Sequence, residues 1–276
     1  MSKNKNKNTG FKGTESELVA MTRDLDELHH DVGMPAMWEG VSSMIDNLRD
    51  APTVRSTNRR TFLMGVGGAV AGSAALLSVG LNPLHAGAAT IQKPSPKSVL
   101  RSAAFPPAGL KGDLAVAAVA ASLENLAVYA YNAGLSAATA GKLGTVPPAV
   151  ATFATTALSQ HTQHAQAWNA VLAANGKAKV TVVNPTLAPT VNADFAKVTN
   201  VTGLANLALT LETIAAETYQ AETSMLSSAA AIGLSSSIQP VEMQHIAILY
   251  YVLGEYPGAQ TSKGATLAFS PMNQAV

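Results

Sequence analysis

Two stretches of the sequence repeat each other, and this repeat decides the fold. Residues 123–131 read Leu-Glu-Asn-Leu-Ala-Val-Tyr-Ala-Tyr, and residues 211–219, Leu-Glu-Thr-Ile-Ala-Ala-Glu-Thr-Tyr, align on them without a gap. In each copy the glutamate and the final tyrosine are seven residues apart, which places them two turns apart on one face of a helix. Each copy is followed by a segment with two polar residues at positions i and i+3. The chain is therefore predicted to contain two helical hairpins of the same plan.

Helix-starting and helix-stopping residues predict four helices in this region. The first begins at Asp113, which can cap it, and ends near Ala140; the second follows Pro147 and ends near Asn175. The third is predicted over roughly 200–232 and the fourth over roughly 238–253. A connection of about 25 residues between the second and third helices contains prolines and is predicted to be extended. This pattern indicates an all-α four-helix bundle with one long crossover between helices 2 and 3.

Polar residues on these helices have the spacing of metal ligands. Side chains at i and i+3 point to the same side of a helix, and a dinuclear site in a bundle takes a Glu from two helices and a Glu-x-x-His pair from the other two. Buried carboxylates among Ala, Leu and Val carry a large desolvation cost unless they are paired with a cation. A polar, hydrogen-bonded core without metal is the alternative. The candidate metal ligands are Glu124, His161, His164, Glu212, Glu242 and His245.

With these residues in view, residues 112–256 resemble the ferritin-like superfamily, especially its exported members related to desiccation-associated proteins. The resemblance implies that Glu124 and Glu212 are the single-Glu ligands and that Glu242 and His245 form one Glu-x-x-His pair. It also implies oxidation of ferrous iron or disposal of peroxide. The alternative is a non-enzymatic, stress-related or envelope-structural binding domain whose metal site is degenerate.

The pair formed by His161 and His164 departs from this pattern, because a histidine stands where the resemblance implies a glutamate. Three carboxylates leave two divalent ions with a residual positive charge. The extra imidazole favours iron, zinc or copper over manganese, and is compatible with a single ion. Iron is the leading expectation for the cofactor, with zinc, copper and manganese as alternatives.

Other polar and aromatic residues near the candidate ligands have weaker patterns. Glu217 and Glu222 lie off the ligand face of a regular helix, so we expect them to be solvated or at a helix interface. Tyr131 and Tyr219 are expected either to hydrogen-bond a ligating histidine or to be core aromatics. Trp168, four residues after His164, and Leu249, four residues after His245, are expected to be ordinary core residues.

A pair of arginines, Arg59 and Arg60, precedes an uncharged, glycine-rich run over residues 61–81, and Ala86-Gly87-Ala88 follows. This pattern resembles a twin-arginine export signal with its cleavage site. An uncleaved membrane anchor is the alternative, since 21 uncharged residues just suffice to cross a bilayer. Both interpretations place the chain after residue 88 outside the cytoplasmic membrane, in the periplasm or cell envelope. The expected partner is the twin-arginine translocation machinery, with membrane association through this segment; homo-oligomerisation is left open.

Further segments are predicted before and after this signal. Residues 1–14 are expected to be disordered, and two short amphipathic helices, broken near Gly33 and Pro35, are expected to follow. The adjacent His29 and His30 are assigned to a solvated polar face. This extension is either a misassigned start, with translation from Met44, or a segment that binds a partner before export. The predicted organisation is an extension (1–56), a signal (57–88), a Pro-rich linker (89–111), the bundle (112–256) and a tail (257–276).

Composition excludes several classes of protein. The 276 residues contain no cysteine, so a disulfide scaffold is excluded. A formal net charge of +1 argues against nucleic-acid binding, which needs a basic surface. Residues 89–276 contain only eight Asp and Glu. Three of these are candidate ligands, so the scarce carboxylates are predicted to concentrate inside the bundle.

Overall fold

The computed structural model of the chain describes residues 11, 13–50, 105–107 and 109–255, with the side chains of α2 described through residue 46. The described helices are α1 (Glu15–Leu28), a π-helical segment (His29–Gly33), α2 (Met34–Asp50), α3 (Asp113–Thr139), α4 (Pro148–Ala174), α5 (Ala188–Phe195), α6 (Val201–Thr223) and α7 (Ala229–Leu253). The described residues contain no strand. The predicted all-α fold is thus confirmed.

Helices α3, α4, α6 and α7 form the four-helix bundle. α3 packs along α4 and α6 packs along α7, so each predicted hairpin is a real structural unit. The chain crosses between the hairpins through residues 175–200. In the part of the chain that the structure describes, only α3 is long and apolar enough to cross a membrane. Half of that apolar stretch is buried inside the bundle, as expected for a core helix.

The crossover is not extended throughout, contrary to the prediction, because it contains α5. Pro189 lies in the first turn of α5, where a missing N–H costs no helical hydrogen bond. The side chain of Asn184 accepts hydrogen bonds from the backbone N–H groups of Thr186 and Leu187. Leu187 and Val191 are buried in one cluster with apolar residues of α3 and α6. Burial of this apolar side therefore stabilises a short helix that local sequence does not indicate.

The turn between α6 and α7 lies earlier than predicted, at residues 224–228 rather than 233–237. Ser228 caps α7 by accepting a hydrogen bond from the N–H of Ala231. The carboxylate of Asp113 accepts hydrogen bonds from the backbone N–H groups of Ser227 and Ser228. Asp113 therefore holds this turn and does not cap α3, which was its predicted role. Pro240 lies within α7.

The N-terminal helices pack against the bundle. The two predicted short helices are present as α1 and α2, and the regular α-helix is interrupted at His29–Gly33, close to the predicted break. The interruption is a π-helical segment, so the chain remains helical through it and through Pro35. α1 contacts α4, and α2 contacts α7. Their buried apolar residues are Leu18, Leu25, Met37, Val41 and Met44.

Several predicted segments lie partly or wholly outside the described residues. The signal at 57–88 and the tail at 257–276 lie wholly outside, as do residues 1–10, 12 and 51–56 of the extension, the linker except for residues 105–107 and 109–111, and residue 256.

Candidate metal centre

The middle of the bundle brings all six candidate ligands together. α3 supplies Glu124, α4 supplies His161 and His164, α6 supplies Glu212, and α7 supplies Glu242 and His245. Each of the six is at most 2% exposed. The internal repeat explains this placement, since equivalent positions in two hairpins meet across the bundle axis.

The six residues form two overlapping groups that could each hold a metal ion. One group consists of Glu124, His161, His164 and Glu242; the other consists of His161, Glu212, Glu242 and His245. Within each group, one potential ligand atom of every residue lies within 4.8 Å of the others. His161 and Glu242 belong to both groups. This overlap suits two adjacent ions as well as a single ion bound in either group.

His161 lies between the two groups, with a carboxylate facing each ring nitrogen. Its Nδ1 is 2.8 Å from Glu124 Oε2, and its Nε2 is 3.1 Å from Glu212 Oε1. The doubly protonated ring donates a hydrogen bond to each of these carboxylates. The histidine that replaces the expected glutamate is therefore central to the site.

His164 has buried ring nitrogens without a hydrogen-bond partner. Its Nδ1 is 3.0 Å from Glu242 Oε1, but neither atom makes a hydrogen bond. Its Nε2 also has no partner. Buried polar atoms without partners are costly, and those at functional sites often await an ion. These atoms, together with a donor set of imidazole and carboxylate, fit a transition-metal ion.

His245 is oriented by a glutamine that the sequence did not single out. Its Nε2 is 2.8 Å from Gln160 Oε1, which is fully buried, so this nitrogen donates to the amide carbonyl. Nδ1 therefore faces Glu212 and Glu242, with 3.3 Å to each. Such a hydrogen bond fixes the tautomer of a ligating histidine and leaves the other nitrogen available. The only sequence signal for Gln160 was its position directly before His161 in an alanine-rich helix.

The two tyrosines of the repeat hydrogen-bond the carboxylates crosswise between hairpins. Tyr131, on the helix of Glu124, donates to Glu212, and Tyr219, on the helix of Glu212, donates to Glu124. They contact ligand candidates as expected, although the partners are glutamates and not histidines. Trp168 donates from Nε1 to the Tyr219 hydroxyl at 3.0 Å, so it is more than the ordinary core residue predicted.

Glu217 and Glu222 are each 1% exposed, so the expectation of solvation is wrong and that of a helix interface is correct. The Oε2 atom of Glu222 has no hydrogen-bond partner. Burial, reinforced by the charge of Glu124, raises the pKa of Glu222 well above its usual range. Burial and the neighbouring Glu124 thus both favour the neutral form of Glu222.

The ligand candidates themselves form ion pairs in the metal-free protein. Burial opposes the charged form of His164, but the carboxylates of Glu124 and Glu242 outweigh it and raise its pKa to about 9. Burial likewise opposes ionisation of Glu124, but His164 and His161 lower its pKa to about 2. The pKa of His161 is raised well above its usual range, because Glu242 and Glu212 outweigh the effect of burial. In the metal-free protein the charged imidazoles thus balance the charge of the carboxylates, as metal cations would.

His29 was assigned to a solvated face, and this prediction is wrong: the side chain is 2% exposed. Its Nε2 is 2.8 Å from Gln163 Oε1, and its ring packs edge-on against His164 with 5.4 Å between centroids. Burial, followed by the charge of His164, lowers the pKa of His29 to about 4. His29 continues the buried series Leu18, Thr22 and Leu25 of α1 at regular helical spacing, so it faces the bundle with them. His30 remains exposed, as expected.

This fold and site define a four-helix bundle with a buried Glu/His centre. Residues 112–255 match the ferritin-like domain family. The match covers more than half of the chain, and the protein belongs to this family. No curated protein and no solved structure matches the chain.

Proposed function

We propose that this protein binds one or two transition-metal ions in the bundle core, iron foremost, and that it oxidises ferrous iron or consumes peroxide. The observation that carries the proposal is the pair of overlapping Glu/His groups, both buried and sharing His161 and Glu242. A redox-active ion held there supplies one-electron chemistry. Zinc, copper and manganese are the alternative ions.

The chain's own residues have separable roles in this proposal. The six ligand candidates supply carboxylate oxygens and imidazole nitrogens. Gln160 orients His245, while Tyr131 and Tyr219 orient Glu212 and Glu124. Ligands must lose their protons to bind a metal, so binding displaces protons from the charged histidines.

A second candidate function is non-enzymatic, as a stress-related or envelope-structural binding domain. The observation that favours it is charge balance, because three histidines face three glutamates without any metal. Such a bundle persists as a folded domain when its site is empty. The proposed relation to desiccation-associated proteins belongs with this alternative as much as with the first.

Metal content and reactant consumption separate the two candidates. The full chain is loaded with ferrous iron without oxygen, desalted, and measured by elemental analysis; dioxygen and peroxide consumption are then followed separately. We expect one or two ions per chain and consumption of one oxidant. Glu212→Ala and His245→Ala should lower the bound metal, and Glu39→Gln on the exposed side of α2 is the matched control. Wild-type protein that holds neither iron nor zinc, copper or manganese excludes the metal site, whereas bound iron without consumption supports the binding domain.

We also propose that the protein is exported by the twin-arginine machinery to the periplasm or cell envelope. Arg59 and Arg60 before an uncharged run are the supporting pattern. Replacing both arginines by lysine should stop translocation of a fused reporter. Replacing Lys3 and Lys5 by arginine is the control and should leave translocation intact. Translocation that survives the double replacement contradicts this assignment.

A further inference from the structure

Two polar side chains at the end of α1 meet two glutamines of α4 in register. Gln160 donates from Nε2 to Asp26 Oδ1 at 3.4 Å. His29, the next residue after α1, donates from Nε2 to Gln163 Oε1 at 2.8 Å. In both pairs the partners are 134 residues apart in the chain, and the two positions on each helix differ by three. Residues at i and i+3 share a helix face, so the two pairs lie one above the other between α1 and α4.

His29 is an unexpected residue in this contact, which is otherwise largely apolar. The same side of α1 buries Leu18 and Leu25. Among the residues that the structure describes, Nδ1 of His29 has no hydrogen-bond partner, so its burial is costly. Gly33 gives the ring room, because a Cβ atom there would lie 3.2 Å from this nitrogen. A leucine would bury here without that cost, so packing alone does not explain the imidazole.

The first pair leads through Gln160 to the candidate ligand His245. The amide of Gln160 accepts from His245 Nε2 with its Oε1 atom at 2.8 Å and donates to Asp26 with its Nε2 atom. A carboxylate can only accept, so Asp26 fixes which end of the amide faces His245. With the amide reversed, an N–H group would face His245 Nε2, and the proton would have to move to Nδ1. Asp26 thereby keeps Nδ1 of His245 available for a metal ion.

The second pair leads to the candidate ligand His164. The rings of His29 and His164 pack edge-on, with 5.4 Å between centroids. In the described part of the chain, Nε2 of His164 has no hydrogen-bond partner. No hydrogen bond from this nitrogen therefore fixes the ring, as the bond to Gln160 does for His245. On the side of α1, contact with His29 is what limits rotation of the His164 ring.

We infer that the N-terminal extension is part of the metal centre, because Asp26 and His29 position two of its ligands. Asp26 acts through Gln160 on the tautomer of His245, and His29 acts on the orientation of the ring beside it. The match to the ferritin-like domain begins at residue 112, so both positioning residues lie outside that domain. The inference rests on the proposed function for the metal, but the order of the two rings exists without metal and can be measured separately.

The first test is NMR of the metal-free full chain with nitrogen-15 in the histidine rings. In the wild type, the rings of His164 and His245 should each give one sharp set of resonances. Asp26→Ala should broaden or double those of His245, and His29→Leu should do the same for His164. Asp26→Asn keeps an acceptor oxygen for the Gln160 amide and should restore the sharp set. Sharp resonances for both rings in Asp26→Ala and His29→Leu overturn the inference.

The second test is the affinity for cobalt(II), whose visible absorption depends on the number and geometry of its ligands. Asp26→Ala and His29→Leu should each weaken cobalt binding about tenfold and change the absorption bands, as loss of a residue that orients a ligand does. Asp26→Asn should bind cobalt like the wild type. Asp26 is half-buried, so its replacement leaves the packed core intact.

Leu18→Ala is the matched control on the same side of α1. It removes buried apolar contacts and should lower Tm, yet it should leave the ring resonances and the cobalt affinity unchanged. Cobalt affinity that is unchanged in Asp26→Ala and His29→Leu, or weakened as much by Leu18→Ala, overturns the inference. Wild-type protein that binds no metal contradicts the proposed function instead, and the ring resonances of the metal-free chain then decide the inference.

Discussion

Position 161 shows how one residue changes the balance of charge in the site. The imidazole of His161 faces Glu124 on one side and Glu212 on the other, and it is nearly fully buried. In the metal-free protein it neutralises carboxylates that would otherwise repel one another. In a metal-loaded protein it contributes no negative charge. The histidine thus stabilises the empty site at the expense of charge balance with two divalent ions.

His161→Glu should have the opposite effect: it should destabilise the empty site and improve the charge balance with two divalent ions. Four carboxylates would then face two histidines, and the uncompensated buried charge should lower the metal-free Tm by on the order of 10 °C. Added iron or manganese should raise Tm more in this variant than in the wild type. Calorimetry with and without metal measures both effects. His161→Gln is the control, since it removes the imidazole without adding charge; equal metal-induced shifts in the two variants contradict the argument.

Stability of the metal-free protein should depend on pH through His164. Its pKa is about 9 in the folded protein and 6.5 ordinarily, so unfolding releases a proton between these values. The stabilising contribution is complete below pH 6.5 and is lost as pH rises through about 9. The pKa values of His161 and His245 are raised too, which adds to the same trend.

We therefore expect the metal-free Tm to fall between pH 6.5 and 9 by roughly 5 °C or more. His164→Gln should show a shallower fall over the same range, and bound metal should flatten it because the ligated histidines are no longer protonated. Thermal melts in chelator-treated buffers at several pH values make the measurement. A Tm that is constant or rises across this range contradicts the ion-pair interpretation.

The candidate ligands could be found from sequence because they repeat, whereas their supporting residues could not. The i,i+3 pairs and the two Glu-x6-Tyr stretches fix which side chains share a face. Gln160 and Glu222 are buried by contacts between elements distant in the chain, and local spacing carries no information about these contacts. His29, in contrast, continues the buried series Leu18, Thr22 and Leu25 of α1, so helical spacing could have placed it inside. Predicting Gln160 and Glu222 requires the tertiary packing.

At the scale of elements, α2 approaches α7 closely at Gly40. A Cβ atom at this position would lie 3.0 Å from the backbone N and Cα atoms of Leu234, closer than most Cβ atoms come to a neighbour. Backbone atoms in a helix cannot move aside as a flexible side chain does. The glycine thus permits the contact by which α2 covers this part of α7.

Gly40→Ala should therefore lower Tm by about 5 °C, the result of forcing apart two packed helices. Gly233→Ala on α7 is the matched control, because nothing lies within 4 Å of its Cβ position. There the change should raise Tm by about 2 °C through better helix propensity. Calorimetry on both variants is the measurement. Similar Tm changes in the two variants would show that α2 does not pack on α7 as described.

The sequence predicted the ends of α3 and α4, where the stop signals are local. It did not predict the boundary between α6 and α7. α3 and α4 end near glycines with positive φ, Gly141 and Gly176, which the sequence indicated. The α6–α7 turn is held by Asp113, more than a hundred residues earlier. Ser235, which was predicted to lie between the two helices, is fully buried in α7. A local cap, Ser228, and a distant carboxylate, Asp113, together hold this boundary.

For the molecule as a whole, the helices before the proposed signal and the bundle after it form one packed structure. α1 and α2 bury Leu18, Met37 and Met44 against the bundle, each at most 1% exposed. Cleavage after Ala88, as proposed for export, would divide the chain between these two parts. Whether the parts stay together then depends on the apolar surface they bury and no longer on the covalent link.

We expect the two parts to remain associated after the chain is cut. A protease site inserted near residue 95 allows cleavage of the folded, purified protein, and buried apolar contacts of this kind favour association. The fragments should co-elute in size-exclusion chromatography at micromolar concentration. Met37→Asp with Val41→Asp places charges in the contact and should release the N-terminal fragment and lower the Tm of the cut protein.

The control for this cut protein is Glu39→Gln with Ser42→Asn, two changes on the exposed side of α2 that should leave co-elution intact. Separation of the wild-type fragments, with a bundle that melts at the Tm of the intact chain, contradicts the prediction. Association would mean that export with cleavage leaves a two-chain protein or strips α1 and α2 from it. In the second case Gln163 and His164 lose their contacts with His29, and that side of the centre becomes exposed.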